Sequence, residues 1–382
     1  MSDSTQVSRR NFLQQTPSTA AVLATGALAT TTTEAALLPP ERDPDRKTIR
    51  VGVLNISVYS HLAAHWVRII NGPMSYTNLK ITRCWDIDQK AAMGFARGHG
   101  CQSVKDPADM LGHVDAVIDG GYYNHPFNHV LMAPFLQAGL PCLVNRPFSN
   151  SVGKTRTLVE LARKHKAPLL VPSAFGHNRV VYEARQFLKE SRVTGYHATT
   201  GAEDFPTHGT HGLYFLSRAI TDAGNPIVSV AYRGKTWEKP PAVLTLEHRD
   251  RDGGTFFGTL HSGEFGVGML HIHTESHGSG RSFTLSLPND PIYRDTDFWA
   301  PAIWAFQQIA NGEPMPQTYD QILMKQQAYL AGFYSHLEKN GQPVRLDEVP
   351  DNWEAPAKLP ARPGEHAYYD RLQKELGPKL DE

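Results

Sequence analysis

Two histidines three residues apart, His208 and His211, lie in Thr207-His208-Gly209-Thr210-His211-Gly212, the densest group of chemically able side chains in the sequence. Histidine titrates near neutrality, so either ring can exchange a proton with a hydroxyl held in a cleft. The glycines allow close approach, and Glu203 and Asp204 just upstream are placed to orient a ring. A helix-capping or packing role for the histidines stays open on the residues alone. The second candidate is Arg146, in Asn145-Arg146-Pro147. A fixed guanidinium there can clamp a hydroxyl, a carboxylate or a ribose. It is no ready acid or base, because it keeps its proton to above about pH 12.

Other spacings are weaker. His61 and His65 are four apart and share a helix face, but no acid stands between them as in H-E-x-x-H, so no metal site is expected. His271, His273 and His277 alternate along a strand and fall on one face, either as a ligand surface or as an exposed sheet. Cys84, Cys101 and Cys142 carry no metal or redox spacing and read as buried thiols.

These residues need elements to place them. The stretch Ile49 to Trp66, IRVGVLNISVYSHLAAHW, is a short apolar strand, a polar turn and a helix-compatible segment. Strand and helix signals then alternate, with strands expected at 50–54, 79–85, 115–118, 141–145 and 168–172 and helices at 60–72, 91–97, 108–112, 129–138, 152–166 and 182–190. Such alternation builds a parallel sheet whose crevice lies at the carboxyl ends of the strands. The turn after the first strand should face a ligand. A dinucleotide loop would read G-x-G-x-x-G, whereas here only Gly52 is present and Asn55, Ile56, Ser57, Ser60 and His61 occupy the region. Asn55 tolerates left-handed geometry, and Ser57 and Ser60 can donate to an anion. Asp86, or Asp88, ends the second strand where a carboxylate would meet an adenosine ribose, and Asn145 ends the fourth. A vestigial fold with no dinucleotide is the alternative.

Beyond about residue 190 the period changes to two. Six segments, 193–202, 226–235, 242–250, 254–263, 267–275 and 281–287, are separated by Gly, Asp and Asn turns and suggest a mostly antiparallel sheet. A helix is expected at 208–220, and helices return at 298–310 and 319–338 before a Pro-rich, poorly periodic tail. The fold class is therefore α/β: a Rossmann-like domain over 49–175, then an α+β domain with an open sheet over 176–345, then a tail over 346–382.

Acidic and basic residues balance at 38 each in 382 residues, which argues against a nucleic-acid partner. Ser8-Arg9-Arg10-Asn11-Phe12-Leu13 is a twin-arginine pattern followed by an Ala/Thr-rich stretch, so residues 1–36 are expected to be an export signal and 37–48 a linker. That places the mature chain in the periplasm or outside the cell. The apolar stretch falls well short of the roughly 20 residues that span a bilayer, so no membrane anchor is expected.

With these residues in place, about residues 48–345 resemble the Gfo/Idh/MocA oxidoreductase family. The matching pieces are the strand-turn-helix at 50–66, Asp115-Ala-Val-Ile118, Leu136-Gln-Ala-Gly-Leu-Pro141 running into Asn145-Arg146-Pro147, Asn178-Arg179, and His208-Gly-Thr-His211. The resemblance implies NAD- or NADP-dependent oxidation or reduction of a sugar or cyclitol, and homodimers or homotetramers joined through the open sheet. His211 matches the histidine assigned to proton transfer. Arg146 stands where the family has the lysine of Glu-Lys-Pro, and His208 and Tyr214 replace two aspartates. These departures keep two other readings open: a carbohydrate lyase or hydrolase on the same scaffold, or a carbohydrate- or nucleotide-binding protein without turnover.

Overall fold

The computed structural model describes residues 46–57, 60, 62–72, 77–122, 124–200, 204–239, 241–262, 267–275, 280–286, 294–357 and 365–377, without the side chains of 63, 64, 207, 208, 267, 294–296 and 365. The export signal, His61, Glu203 and His277 lie outside these residues, as does the side chain of His208.

Six parallel strands form the first sheet: β1 (Ile49–Leu54), β2 (Leu79–Trp85), β3 (Gln102–Ser103), β4 (Ala116–Asp119), β5 (Cys142–Val144) and β6 (Leu169–Leu170). Their spatial order is β3-β2-β1-β4-β5-β6, so the chain reverses direction of travel between β1 and β4. A crevice at the carboxyl ends of those two strands follows from that order. The strands are buried on both faces, with Val51, Val53, Ala116, Val117 and Leu143 fully shielded, because helices cover both sides of a parallel sheet. Gly52 lies inside β1, where a Cβ would meet the Met110 sulfur at 2.6 Å. It serves strand packing, which corrects its expected place in a ligand loop.

The helices are α1 (Val67–Asn71), α2 (Gln89–His99), α3 (Asn128–Leu131), α4 (Ala133–Gln137), α5 (Val152–Lys164) and α6 (Arg179–Lys189). The helix expected over 129–138 is two pieces, α3 and α4. Pro134 stands at the start of the second, where its missing N–H costs nothing but continuation from the first would not be tolerated. The helix expected over 60–72 opens with a wide turn of π geometry, Leu62–Trp66. Strand β3, two residues long, is too short to leave a periodic signal.

All six period-two segments form strands: β7 (Val193–Thr200), β8 (Ile227–Arg233), β9 (Ala242–Arg249), β10 (Thr255–Ser262), β11 (Val267–Thr274) and β12 (Gly280–Ser286), with β13 (Val344–Arg345) added at the edge. The order is β12-β11-β7-β10-β9-β8-β13, antiparallel except for the β7–β10 pair. Leu244, Leu246, Leu260, Leu270 and Ile272 point inward onto helices α7 (Thr210–Ala219), α8 (Ala300–Ala310) and α9 (Tyr319–Glu338), or onto the apolar core around them. The opposite face carries His197, His261, His271 and His273, with Phe257 59% exposed. Helix α9 spans the residues the sequence predicts, and Thr318 and Gln321 close a reciprocal cap at its start.

The tail differs from expectation. Residues Glu365–Leu376 form α10, with Tyr368, Tyr369, Leu372 and Leu376 along one face at helical spacing. Prolines and charges on either side mask that stripe in the sequence.

Candidate active site

The site grows from the carboxyl ends of β4, β5 and β6. After β5 the chain passes through Asn145 into Arg146, whose peptide bond to Pro147 is cis. Arg146 is 1% exposed, so it is no surface arginine. Its guanidinium lies 4.7 Å over the Tyr122 ring, and its Nη2 reaches the Tyr122 hydroxyl at 3.3 Å. The same Nη2 donates to His211 Nε2 at 2.5 Å.

That contact fixes the chemical state of the histidine. An imidazole nitrogen that accepts from guanidinium carries no proton, so the ring is neutral with its proton on Nδ1. Nδ1 lies 2.7 Å from Ser173 Oγ, to which it donates. Ser173 follows β6 and is held in turn by the Phe175 N–H, 3.2 Å from its oxygen. Phe175 packs against the His211 ring at 4.8 Å between centroids. The ring is therefore clamped by a hydroxyl on one nitrogen, a cation on the other and an aromatic beside it. Sequence reasoning found His211 and Arg146 but not Ser173 or Tyr122, because a lone serine and a tyrosine in an irregular Gly-Gly-Tyr-Tyr segment carry no motif.

His211 is on α7, which enters through a wide turn of π geometry, Phe205–Gly209, closed by the Gly209 N–H donating to the Asp204 carbonyl at 3.0 Å. One turn further along α7, Tyr214 covers Lys325 of α9, whose ammonium lies 4.1 Å from the ring centre. Lys325 donates to the Val171 carbonyl at 2.9 Å and to Gln317 Oε1 at 2.7 Å, and burial pulls it down to about 7. Gln326 beside it donates to the Ser149 carbonyl at 2.6 Å. These bonds tie α9 to the loops after β5 and β6, and so set α7 against Arg146.

The other half of the crevice is the turn after β1. Asn55 adopts φ 55°, the left-handed geometry expected of it. The backbone N–H groups of Ile56 and Ser57, donors that an anion would use, both donate to Asp86 Oδ2, at 2.8 and 2.9 Å. Asp86 is fully buried, and burial raises it above the usual carboxylate range despite those bonds. It thus caps the turn, in place of its expected role as a ribose acceptor. Asn55 Nδ2 donates to Asp119 Oδ1 at 2.7 Å, and Asn124 Nδ2 donates to Asp119 Oδ2 at 2.5 Å. Burial pushes Asp119 up to about 6. Gly121 is packed so closely that a Cβ there would meet the Asn55 Cβ at 2.7 Å.

Helix α10 lies against this turn. Tyr368, 2% exposed, donates to Asn55 Oδ1 at 2.9 Å and approaches Asp86 Oδ2 at 3.4 Å. Arg371 pairs with Asp88 at 3.3 Å, and Tyr369 packs on Phe127 at 5.6 Å. A dinucleotide does not fit the adenosine end of the crevice in this arrangement: the turn's N–H groups and both candidate ribose acids are taken by the chain itself. The opposite end differs. Asn145 donates from Nδ2 to the Gly120 carbonyl at 3.0 Å while its Oδ1 finds no partner among the described residues, and the same holds for the buried Ser60 Oγ, which lies against Gly120.

No family model and no curated protein matches the chain. Solved structures do match in fold. An apo scyllo-inositol dehydrogenase from Lactobacillus casei superposes with TM-score 0.62 over 79% of this chain and 99% of its own, at 13% identity. The myo-inositol dehydrogenase of the same organism, in complex with NAD(H) and myo-inositol, gives 0.62 over 81% and 98%, at 14% identity. A probable dehydrogenase from Thermotoga maritima gives 0.61 over 79% and 100%, also at 14% identity. At such identities the likeness establishes the shared fold, a Rossmann-like sheet followed by an open, mostly antiparallel one.

Proposed function

We propose that this chain is an oxidoreductase of the Gfo/Idh/MocA kind that acts on a hydroxyl of a cyclitol or sugar with a nicotinamide cofactor, NAD or NADP. The observation that carries the reading is the buried Arg146–His211–Ser173 chain at the carboxyl edge of β5 and β6, in a fold shared with inositol dehydrogenases. A substrate hydroxyl entering beside Arg146 would take over the guanidinium hydrogen bond and give its proton to His211 Nε2. Ser173 Oγ would keep the ring oriented while that nitrogen fills. Arg146 would steady the oxygen as it loses the proton, a role that suits a cation unable to act as a base.

The test is a screen of the purified chain against inositol isomers and pyranoses with each nicotinamide cofactor, following cofactor reduction. Turnover in the wild type, lost in His211→Ala, supports the reading; turnover unaffected by that change sinks it. We further propose export by the twin-arginine route and assembly through the open face of the second sheet into a homodimer or homotetramer. Fractionation of expressing cells and light scattering of the mature chain test those two points.

A second reading, a carbohydrate lyase or hydrolase using the same histidine without a dinucleotide, is favoured by the filled adenosine end of the crevice. Conversion of a sugar by chain stripped of nicotinamide would establish it.

A further inference from the structure

Helix α10 lies against the turn after β1 and the acids that follow β2, the place at which a Rossmann-like sheet receives an adenosine ribose. The Tyr368 hydroxyl bridges Asn55 and Asp86 at the mouth of the turn after β1, 2.9 and 3.4 Å away. Leu372, fully buried, and Tyr369 fill the apolar space beside it. The helix's charged tie to the crevice is the Arg371–Asp88 pair, with about half of the arginine and a third of the acid exposed. Such a pair holds weakly and is screened by salt.

The crevice beneath is not finished as a closed core would be. Asn145 Oδ1 and Ser60 Oγ, in side chains 1% and 4% exposed, have no partner among the described residues, and both flank Gly120, with Asn145 next to Arg146 in the chain. Buried polar atoms are mostly satisfied in finished cores, and each exception leaves room for a further partner such as a water, an ion or a ligand. The same crevice therefore has its adenosine end filled by protein and polar atoms awaiting a partner at the end that leads to Arg146.

We propose that α10 is an intramolecular competitor of the dinucleotide: it occupies the adenosine end of the crevice in the resting chain and is displaced when the cofactor binds. The proposal rests on the nicotinamide reading above. A tyrosine hydroxyl between an amide oxygen and a carboxylate takes the place of a ribose hydroxyl, and the two cannot be present together. Displacement returns Asn55, Asp88 and the space of Tyr368 to the ligand. The turn's N–H groups become available once Asp86 turns from them to the ribose.

The experiment compares NAD(H) binding by calorimetry in three forms of the mature chain: wild type, a chain ending after Ala357, and the double variant Tyr368→Ala/Arg371→Glu, which keeps the helix in place of a deletion. The expected result is at least tenfold tighter binding in both altered forms. In the wild type, NAD(H) should also speed amide hydrogen exchange over 365–376. Equal affinity in all three forms, with exchange unchanged, overturns the competition and leaves the nicotinamide reading standing. No binding in any form, with native circular dichroism throughout, overturns both. If the shortened chain does not fold, the double variant decides the matter alone.

Discussion

Arg146 Nη2 and His211 Nε2 are 2.5 Å apart in a buried site, a cation donating to a neutral imidazole. The histidine is thereby held as a proton acceptor, with Ser173 on its other nitrogen at 2.7 Å. Removing the acceptor with His211→Ala should lower kcat by about 10²- to 10⁴-fold, the range that a positioned acid–base group supplies. Ser173→Ala should cost less, about tenfold, because the ring remains and only its orientation loosens. It should also change the pH–rate profile, which a purely structural role would leave in place. Arg146→Lys should not restore wild-type rates, since an ammonium lacks the planar guanidinium that lies over the Tyr122 ring while its Nη2 reaches His211. Steady-state kinetics on the substrate found in the screen checks all three.

Asp86 bears on stability more than on chemistry. Its carboxylate accepts three backbone N–H groups, from Ile56, Ser57 and Asp88, the last at 2.8 Å. Asp86→Ala would leave two or more donors without a partner inside the crevice, at about 1–3 kcal/mol for each buried group left so. A loss of about 3 kcal/mol, read as a lower urea midpoint at unchanged slope, is expected. Asp86→Asn, which keeps one acceptor oxygen, should lose less.

Acid should destabilise the chain well before its surface carboxylates protonate. Burial holds His125 and His248 down to about 4 and His177 well below the usual 6.5. In the unfolded chain all three take protons as pH falls through 6.5, while in the folded chain they do not, so stability is lost between pH 6.5 and 4. Asp119 works the other way: raised to about 6, it takes its proton in the folded state first and adds stability as pH falls from 6 towards 3.8. A shift of roughly two units is worth about 3 kcal/mol, and Asp86, also raised by burial, acts in the same direction as Asp119, so three histidines outweigh two aspartates. Urea midpoints should therefore fall between pH 7 and 4.5, and His125→Gln should flatten that limb.

The strands were legible because their signal is local. Period-two alternation over 193–202 through 281–287 marks six strands, and all six form. Arg146 and His211 were legible for a similar reason, one at the end of a strand and one in a dense motif. What could not be read is whatever depends on contact between distant positions. Ser173 meets His211 across 38 residues and Tyr368 meets Asn55 across 313, and no spacing rule reaches that far. Asp86 shows the cost: its place at the end of β2 is as expected, yet its direction was set by two N–H groups 29 and 30 residues earlier. The apolar stripe of α10 is present in the sequence, but its meaning depends on the crevice that it enters.

Gly212 links packing to the position of the His211 ring. It follows His211 on α7, and a Cβ added there would lie 2.7 and 2.9 Å from the two methyl carbons of Leu260 and closer still to Thr200 Oγ1. Leu260 is fully buried and Thr200 is too, so neither can swing aside. The helix would have to lift off β7 and β10, carrying His211 away from Arg146 and Ser173. Gly212→Ala is thus expected to cost about 1–3 kcal/mol as an overpacked core substitution, and to lower kcat as well, since a displacement of about 1 Å can cost about 100-fold. Gly98 in α2 is the control, with nothing within 4 Å of an added Cβ. Gly98→Ala should leave activity unchanged and stabilise the chain by up to about 1 kcal/mol, because alanine is the better helix former. Thermal melts and kinetics on the two variants side by side separate crowding at α7 from a general response to the loss of a glycine.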